Sequence, residues 1–139
     1  MLLIDNSAWA RLASPRLAAE RVEEVAQWIE AAELGSCLPF LLEAGYSAQS
    51  GPDHQRVVAD LIMLPWIELT PAISRLAIQA QGELARVGHH RVPPAGLMIA
   101  ACAHSEGAGV LHYDRDYDVI AERSGLDFQS EWLAPAGSL

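Results

Sequence analysis

The chain has 139 residues, a length that fits one domain, 1–139, and 51% of them are apolar, enough to build a core at this size. Its 18 acids and 9 bases leave a formal charge of −9, and every base is an arginine. The lack of lysine excludes mechanisms that need one, including the phosphate-binding loop whose lysine reaches nucleotide phosphates, and the acidity excludes whole-surface attraction to nucleic acid, which favours Lys and Arg.

A nucleic-acid substrate would therefore need a local set of arginines or a second subunit. Clustered acids would instead suit a cation. The N-terminal MLLIDNSAW meets an acid at position 5, so it has no apolar signal segment. No apolar run approaches the roughly 20 residues that span a bilayer. The expectation is a soluble, cytoplasmic protein with no membrane partner. Cys37 and Cys102 each sit in an apolar run and read as buried free thiols.

Leu2–Ile4 is a short apolar run that predicts a buried strand ending at Asp5. From Arg21 to Leu34, Val22, Val25, Ala26, Ile29 and Ala32 recur at helical spacing opposite Glu23, Glu24, Gln27 and Glu30, which predicts an amphipathic helix. Ser36–Leu38 predicts a second strand, and Pro39 opens a helix through PFLLEAGYSAQ. Gly51–Asp53 reads as a break, followed by a helix through Met63. Pro65 and the run Trp66–Leu69 predict a third strand. Thr70 and Pro71 then form an N-cap and first turn for a helix with Ile73, Leu76, Ala77, Ala80, Leu84 and Val87 on one face, stopped at Gly88.

His89–Pro94 reads as a loop and 96–106 as an apolar helix ended by Gly107. Val110–His112 predicts a strand, Tyr113–Asp118 an acidic turn into a helix, and Phe128–Leu133 a last strand. Strands alternating with helices predict an α/β fold with a mainly parallel sheet covered on both faces. Such sheets carry their sites beyond the carboxyl ends of the strands.

On that scaffold Asp5 follows the first strand, and Asp114 and Asp116 follow the strand Val110–His112. Glu43 interrupts the apolar helix FLLEAGY, where a charge needs a partner or a metal. Carboxylate oxygens suit Mg²⁺ or Mn²⁺, and an ion so held activates water and neutralises a phosphodiester. Each acid also has a structural reading. Asp5 is a good N-cap for a helix starting near Ser7, Asp114 and Asp116 suit a turn and a helix dipole, and Asp118 reads as solvated.

Four segments in order, MLLIDNSAW, FLLEAGYSA, PPAGLMIAACA and VLHYDRDYDVIA, together resemble the PIN domain in its VapC form, over nearly the whole chain. The resemblance implies an α/β/α sandwich around a parallel sheet, often a homodimer. It also implies an endoribonuclease dependent on Mg²⁺ or Mn²⁺, blocked by a small VapB-like antitoxin. Residue by residue, it makes Asp5 the first acid of the site, Glu43 the second, Asp114 the fourth and Asp116 a further acid of the same turn. Ser7 matches a hydroxyl residue that orients the first acid, although it is equally a helix cap.

Position 96 departs from the pattern. The family has an aspartate before the L-hydrophobic-I-A-A helix, and this chain has Gly96. The change is engineered, selected during expression of a toxic enzyme, or natural. It predicts impaired cleavage, or at the limit a catalytically silent interaction module that binds an antitoxin. Of the possible substitutes, His89 and His90 read as solvated loop residues and His112 as structural. Arg11, Arg86, Arg91 and Arg115 are candidate phosphate contacts, and Trp9 suits the core or an interface better than base stacking. A receiver domain would also place acids at strand ends, but it needs a lysine opposite them.

Overall fold

A computed structural model describes residues 1–139. Five strands form one sheet in the order β3-β2-β1-β4-β5, with β1 at Leu2–Ile4, β2 at Leu34–Cys37, β3 at Trp66–Ile67, β4 at Gly109–His112 and β5 at Ser130–Trp132. Every pairing is parallel. The central strands β1, β2 and β4 are almost wholly buried, which is why they read as continuous apolar or small-residue runs rather than alternating ones.

Seven helices cover the sheet: α1 at Asn6–Trp9, α2 at Ala19–Glu30, α3 at Leu38–Tyr46, α4 at Gly51–Leu61, α5 at Pro71–Arg86, α6 at Pro94–Glu106 and α7 at Asp116–Arg123. α6 explains its own lack of a polar face. Ile99 to Ala103 are fully buried, because α6 packs against α3, α5, α7, β1 and β4. Its small side chains let those neighbours approach, and Gly107 closes it in the left-handed conformation at φ 63°.

The differences from expectation lie at element ends. α2 stops at Glu30, because Ala31–Glu33 turn the chain and Leu34 already belongs to β2. The Gly51–Asp53 segment is no break. Ser50 caps α4 through its hydroxyl to the Asp53 amide, with proline in the first turn. α6 likewise starts at Pro94, two residues early, and a four-residue helix, α1, follows β1 directly. β3 and β5 are shorter than their apolar runs.

Order 3-2-1-4-5 puts the crossover point between β1 and β4, where successive connections leave to opposite sides and a crevice opens at the carboxyl ends. The register there is tight. Gly109 lies opposite Leu2, and a Cβ on it would come within 2.7 Å of the Leu2 side chain and 2.9 Å of the Gln129 carbonyl. Gly109→Ala is therefore expected to destabilise the fold by about 1–3 kcal/mol through overpacking. Gly82→Ala, in α5 where an added Cβ meets nothing within 4 Å, is expected to stabilise it by about 0.5–1 kcal/mol. Urea unfolding of the two variants checks both signs.

Candidate active site

β1 delivers Asp5 into the crevice, and the backbone then turns at once into α1. The Asp5 amide donates to the Leu111 carbonyl of β4 at 3.0 Å, so the residue is still tied to the sheet. Its side chain is 7% exposed, and both oxygens are engaged. Oδ2 accepts from the Ser7 amide at 2.8 Å and from the Ser7 hydroxyl. Oδ1 accepts from the Tyr117 phenol at 2.7 Å. The helix-cap and site readings of Asp5 thus coincide in one carboxylate. Ser7 Oγ in turn accepts from the Tyr113 amide at 2.9 Å, fastening the β4–α7 loop to β1.

Asp5, Glu43, Asp114 and Asp116 line one cleft of about 220 Å³, together with Ser7 and Gly96. Glu43 reaches it from α3, which starts at the end of β2, and it is half-buried. Asp114 and Asp116 come from the loop after β4, where the Asp116 amide donates to Asp114 Oδ1 at 2.9 Å. Burial, then the charges of Asp5 and Asp114, push the Glu43 carboxyl above the usual carboxylate range. Burial and Asp114 do the same to Asp116. No arginine lines the cleft. The donor set is all hard oxygen, and its members repel one another, so it fits a hard divalent cation in kind and in charge. No three of these side chains are drawn together as a finished ligand sphere.

Gly96 sits at the cleft wall in the first turn of α6. A Cβ added there would lie 3.7 Å from the Tyr117 hydroxyl and 3.8 Å from Ile120 Cδ1, ordinary contacts. A side chain at 96 therefore fits without displacing the fold and is directed at the group that holds Asp5.

Tyr117 was not marked as a site residue by the sequence. It is 2% exposed and stacks on His112 with ring centroids 4.8 Å apart. Burial and the nearby Asp5 charge raise its phenol well above its ordinary value, so it stays a donor. His112 is fully buried and structural. Its Nδ1 accepts from the Asp114 amide at 3.1 Å, which leaves Nε2–H to donate to Ser130 Oγ at 2.7 Å. Ser130 Oγ donates to Asp118 at 2.7 Å, and Trp132 Nε1 does so at 2.9 Å. Asp118 is thus the half-buried terminus of a hydrogen-bonded relay, not a fully solvated acid. The DYD spacing hinted at a turn, but nothing in the sequence pairs Asp118 with Ser130.

The other candidates separate cleanly. Arg11 lies over the Tyr113 ring, 4.6 Å from its centroid. Arg86 pairs with Glu83 on the exposed face of α5. His89, His90 and Arg91 line a separate shallow cleft that shares Asp116 with the site. Arg115 points to the other side of the same loop. Trp9 packs edge-on against Phe40 in the core, and Cys37 and Cys102 are buried and free. No helix is long and apolar enough to cross a membrane.

A family model described as "PIN domain" matches residues 2–123. Ribonuclease VapC18 of Mycobacterium tuberculosis is 37% identical over 98% of this chain and 97% of its own. Ribonuclease VapC51 of the same organism is 35% identical over 99% and 96%. Among solved structures, a chain of the DNA-bound VapBC of Salmonella typhimurium superposes with a TM-score of 0.71 at 21% identity, over 96% of this chain and 100% of that one.

Two predictions test the two hydrogen-bond sets. Tyr117→Phe keeps the ring and removes the donor to a buried carboxylate, so it is expected to cost about 1–3 kcal/mol in chemical unfolding; an unchanged midpoint would mean the bond is not formed in solution. Burial outweighs the surrounding carboxylates and lowers the His112 imidazole below its ordinary 6.5. Below that pH the unfolded chain binds the proton and the folded one resists it. Stability is accordingly complete above pH 6.5 and falls as pH drops toward the lowered folded value, by up to about 1.4 kcal/mol per pH unit. Unfolding measured across this window should show that slope, and His112→Asn should lack it.

Proposed function

This chain belongs to the PIN-domain family, as a relative of the VapC ribonucleases, and from that premise we propose that it is a divalent-metal-dependent endoribonuclease weakened at position 96. The observation that carries the proposal is that four carboxylates, from the end of β1, from α3, from the loop after β4 and from the first residue of α7, line one cleft at the crossover of a parallel sheet. Asp5, Glu43, Asp114 and Asp116 would hold Mg²⁺ or Mn²⁺. Bound there, the ion supplies an acidified water and a positive charge for the phosphodiester.

The chain's own residues do the rest. Ser7 and Tyr117 fix the plane of the Asp5 carboxylate by donating to one oxygen each. Ser7 also sets the distance between the two acid-bearing loops through the Tyr113 amide. The His112 relay holds the Asp114 backbone. What the site lacks is the side chain at 96, which would bring a further carboxylate toward Asp5 and Tyr117. Its absence removes one charge and up to two donor oxygens. Removing even an outer partner of a metal ligand typically costs about 10–100-fold in affinity or activity.

The solved structures that share this fold include VapBC complexes from several bacteria. We extend that arrangement to this chain as a VapB-like antitoxin that covers the acid cleft. A homodimer is part of the same proposal. α3 exposes Leu42 at 62% and Tyr46 at 91%, and the turn after α4 exposes Met63 at 82%, apolar surface that association would remove from water. Gly96 also favours a second reading, in which the chain binds its antitoxin and no longer cuts.

Cleavage of a cellular RNA pool, compared between this chain and Gly96→Asp at matched Mg²⁺ and Mn²⁺, decides between them. The expected result is little or no cleavage by the parent and a gain of at least about tenfold on Gly96→Asp, abolished by adding Asp5→Ala. Equal rates for parent and Gly96→Asp would show that position 96 does not serve the metal. No cleavage by either form would leave the interaction module. Relief of carboxylate repulsion is a separate readout: Mg²⁺ should raise the melting temperature of the parent, and more so that of Gly96→Asp.

A further inference from the structure

The acid cleft solves half of the problem posed by an RNA substrate. Four carboxylates attract a cation and repel the phosphates on either side of the bond to be cut. The chain has a charge of −9 and nine arginines in all. Three of these, Arg16, Arg21 and Arg115, line a single cavity of about 770 Å³ between the start of α2, the end of β5 and the β4–α7 loop. Against them stand two acids, Asp118 and Glu131. Both are engaged: Glu131 with Arg21 at 2.6 Å, and Asp118 by the Ser130 and Trp132 donors.

Arg21 is structural. It also donates to the Trp132 and Leu133 carbonyls and pairs with Glu24. Arg16 and Arg115 have no ion-pair partner and are exposed. Arg115 lies between Asp114 and Asp116, which face the acid cleft, while Arg115 faces the large cavity. One loop is thus the shared wall of an acidic and a basic chamber. Apart from Ser138, the rest of the large cavity is apolar, with Leu17, Trp132, Leu133 and Pro135 its larger side chains.

We propose that this cavity is a nucleotide subsite. It takes the nucleotide next to the scissile bond in a single-stranded RNA, with Arg115 and Arg16 on its phosphates and its base against the apolar wall. The volume lies within the range of small-molecule sites, and guanidinium forks suit phosphate oxygens. Apolar and aromatic surface beside them suits an unpaired base, which only a single strand presents. The proposal rests on the ribonuclease reading and adds the place where the strand is gripped.

The test is binding of a fluorescein-labelled single-stranded RNA dodecamer by anisotropy, in Ca²⁺ so that affinity is read without turnover, across a salt series. Arg16→Ala and Arg115→Ala are each expected to weaken binding by at least about threefold and to reduce the log–log salt slope by about 0.7, the share of one single-strand phosphate contact. Arg75→Ala, on the exposed face of α5, changes net charge equally and is expected to do neither. Adenosine 5′-monophosphate should compete with the dodecamer better than inorganic phosphate does. Arg16 and Arg115 variants indistinguishable from Arg75→Ala would overturn the subsite and leave the ribonuclease reading intact. Equal competition by phosphate and the nucleotide would overturn the base-binding half. No RNA binding by the parent chain would sink the ribonuclease reading and the subsite with it.

Discussion

The Asp5 carboxylate is the point on which the structure turns. A buried charge at the end of a central strand costs several kcal/mol unless its oxygens are satisfied. Here the satisfaction comes from three directions: the Ser7 amide and hydroxyl in the next turn, and the Tyr117 phenol from a helix 112 residues away. Those donors are also what close the molecule at the carboxyl edge of its sheet. Ser7 links β1 to the loop after β4, and Tyr117 anchors α7 over the crevice. One set of bonds therefore both stabilises the fold and aims a carboxylate.

The parts legible in the sequence were those governed by local periodicity and composition. The buried strands, the amphipathic α2 and α5 and the carboxyl-edge placement of Asp5, Asp114 and Asp116 follow from patterns within a few residues of each other. Element ends were less legible, because capping competes with breaking: Gly51–Asp53 is made of turn-forming residues, yet Ser50 converts it into a helix start. Least legible were the long-range partners. Nothing local marks Tyr117 as the donor to Asp5 or Ser130 as the link between His112 and Asp118. Asp118 looked solvated because its neighbours in sequence are polar, whereas its neighbours in space are Ser130 and Trp132 of β5. Arg16 and Arg115 lie 99 positions apart in sequence (115 − 16), and only the sheet order brings them to one cavity.

Gly96 can stand where the family resemblance expects an aspartate without loss of the fold around it. It occupies the first turn of α6, where backbone amides lack intrahelical partners in any case and where glycine is tolerated better than deeper in a helix. The space its side chain would fill is bounded by Tyr117 and Ile120 at contact distance and opens into the cleft. No core residue leans on it, so nothing collapses. The consequence is electrostatic instead. Relative to a site with an aspartate at 96, the four acids present would repel one another less, and both the drive to bind a cation and the number of oxygens available to hold it would be lower.

The same electrostatics bear on how an acidic protein can handle a polyanion at all. Screening confines charge effects to about 8–10 Å in ordinary salt, so the net charge of −9 has little reach beyond that distance, and contact is decided by the groups within it. Along the β4–α7 loop the sign alternates residue by residue, Asp114, Arg115, Asp116, and successive side chains serve different chambers. On the proposed reading, a phosphate held by Arg115 would lie across the loop from the carboxylates and outside their cleft. Separating the two signs across one loop would let a strand be gripped beside the carboxylates without their charges cancelling. Pairing Arg115 with its flanking aspartates would neutralise both chambers at once, which makes its lack of an ion pair the feature most consistent with a role toward substrate.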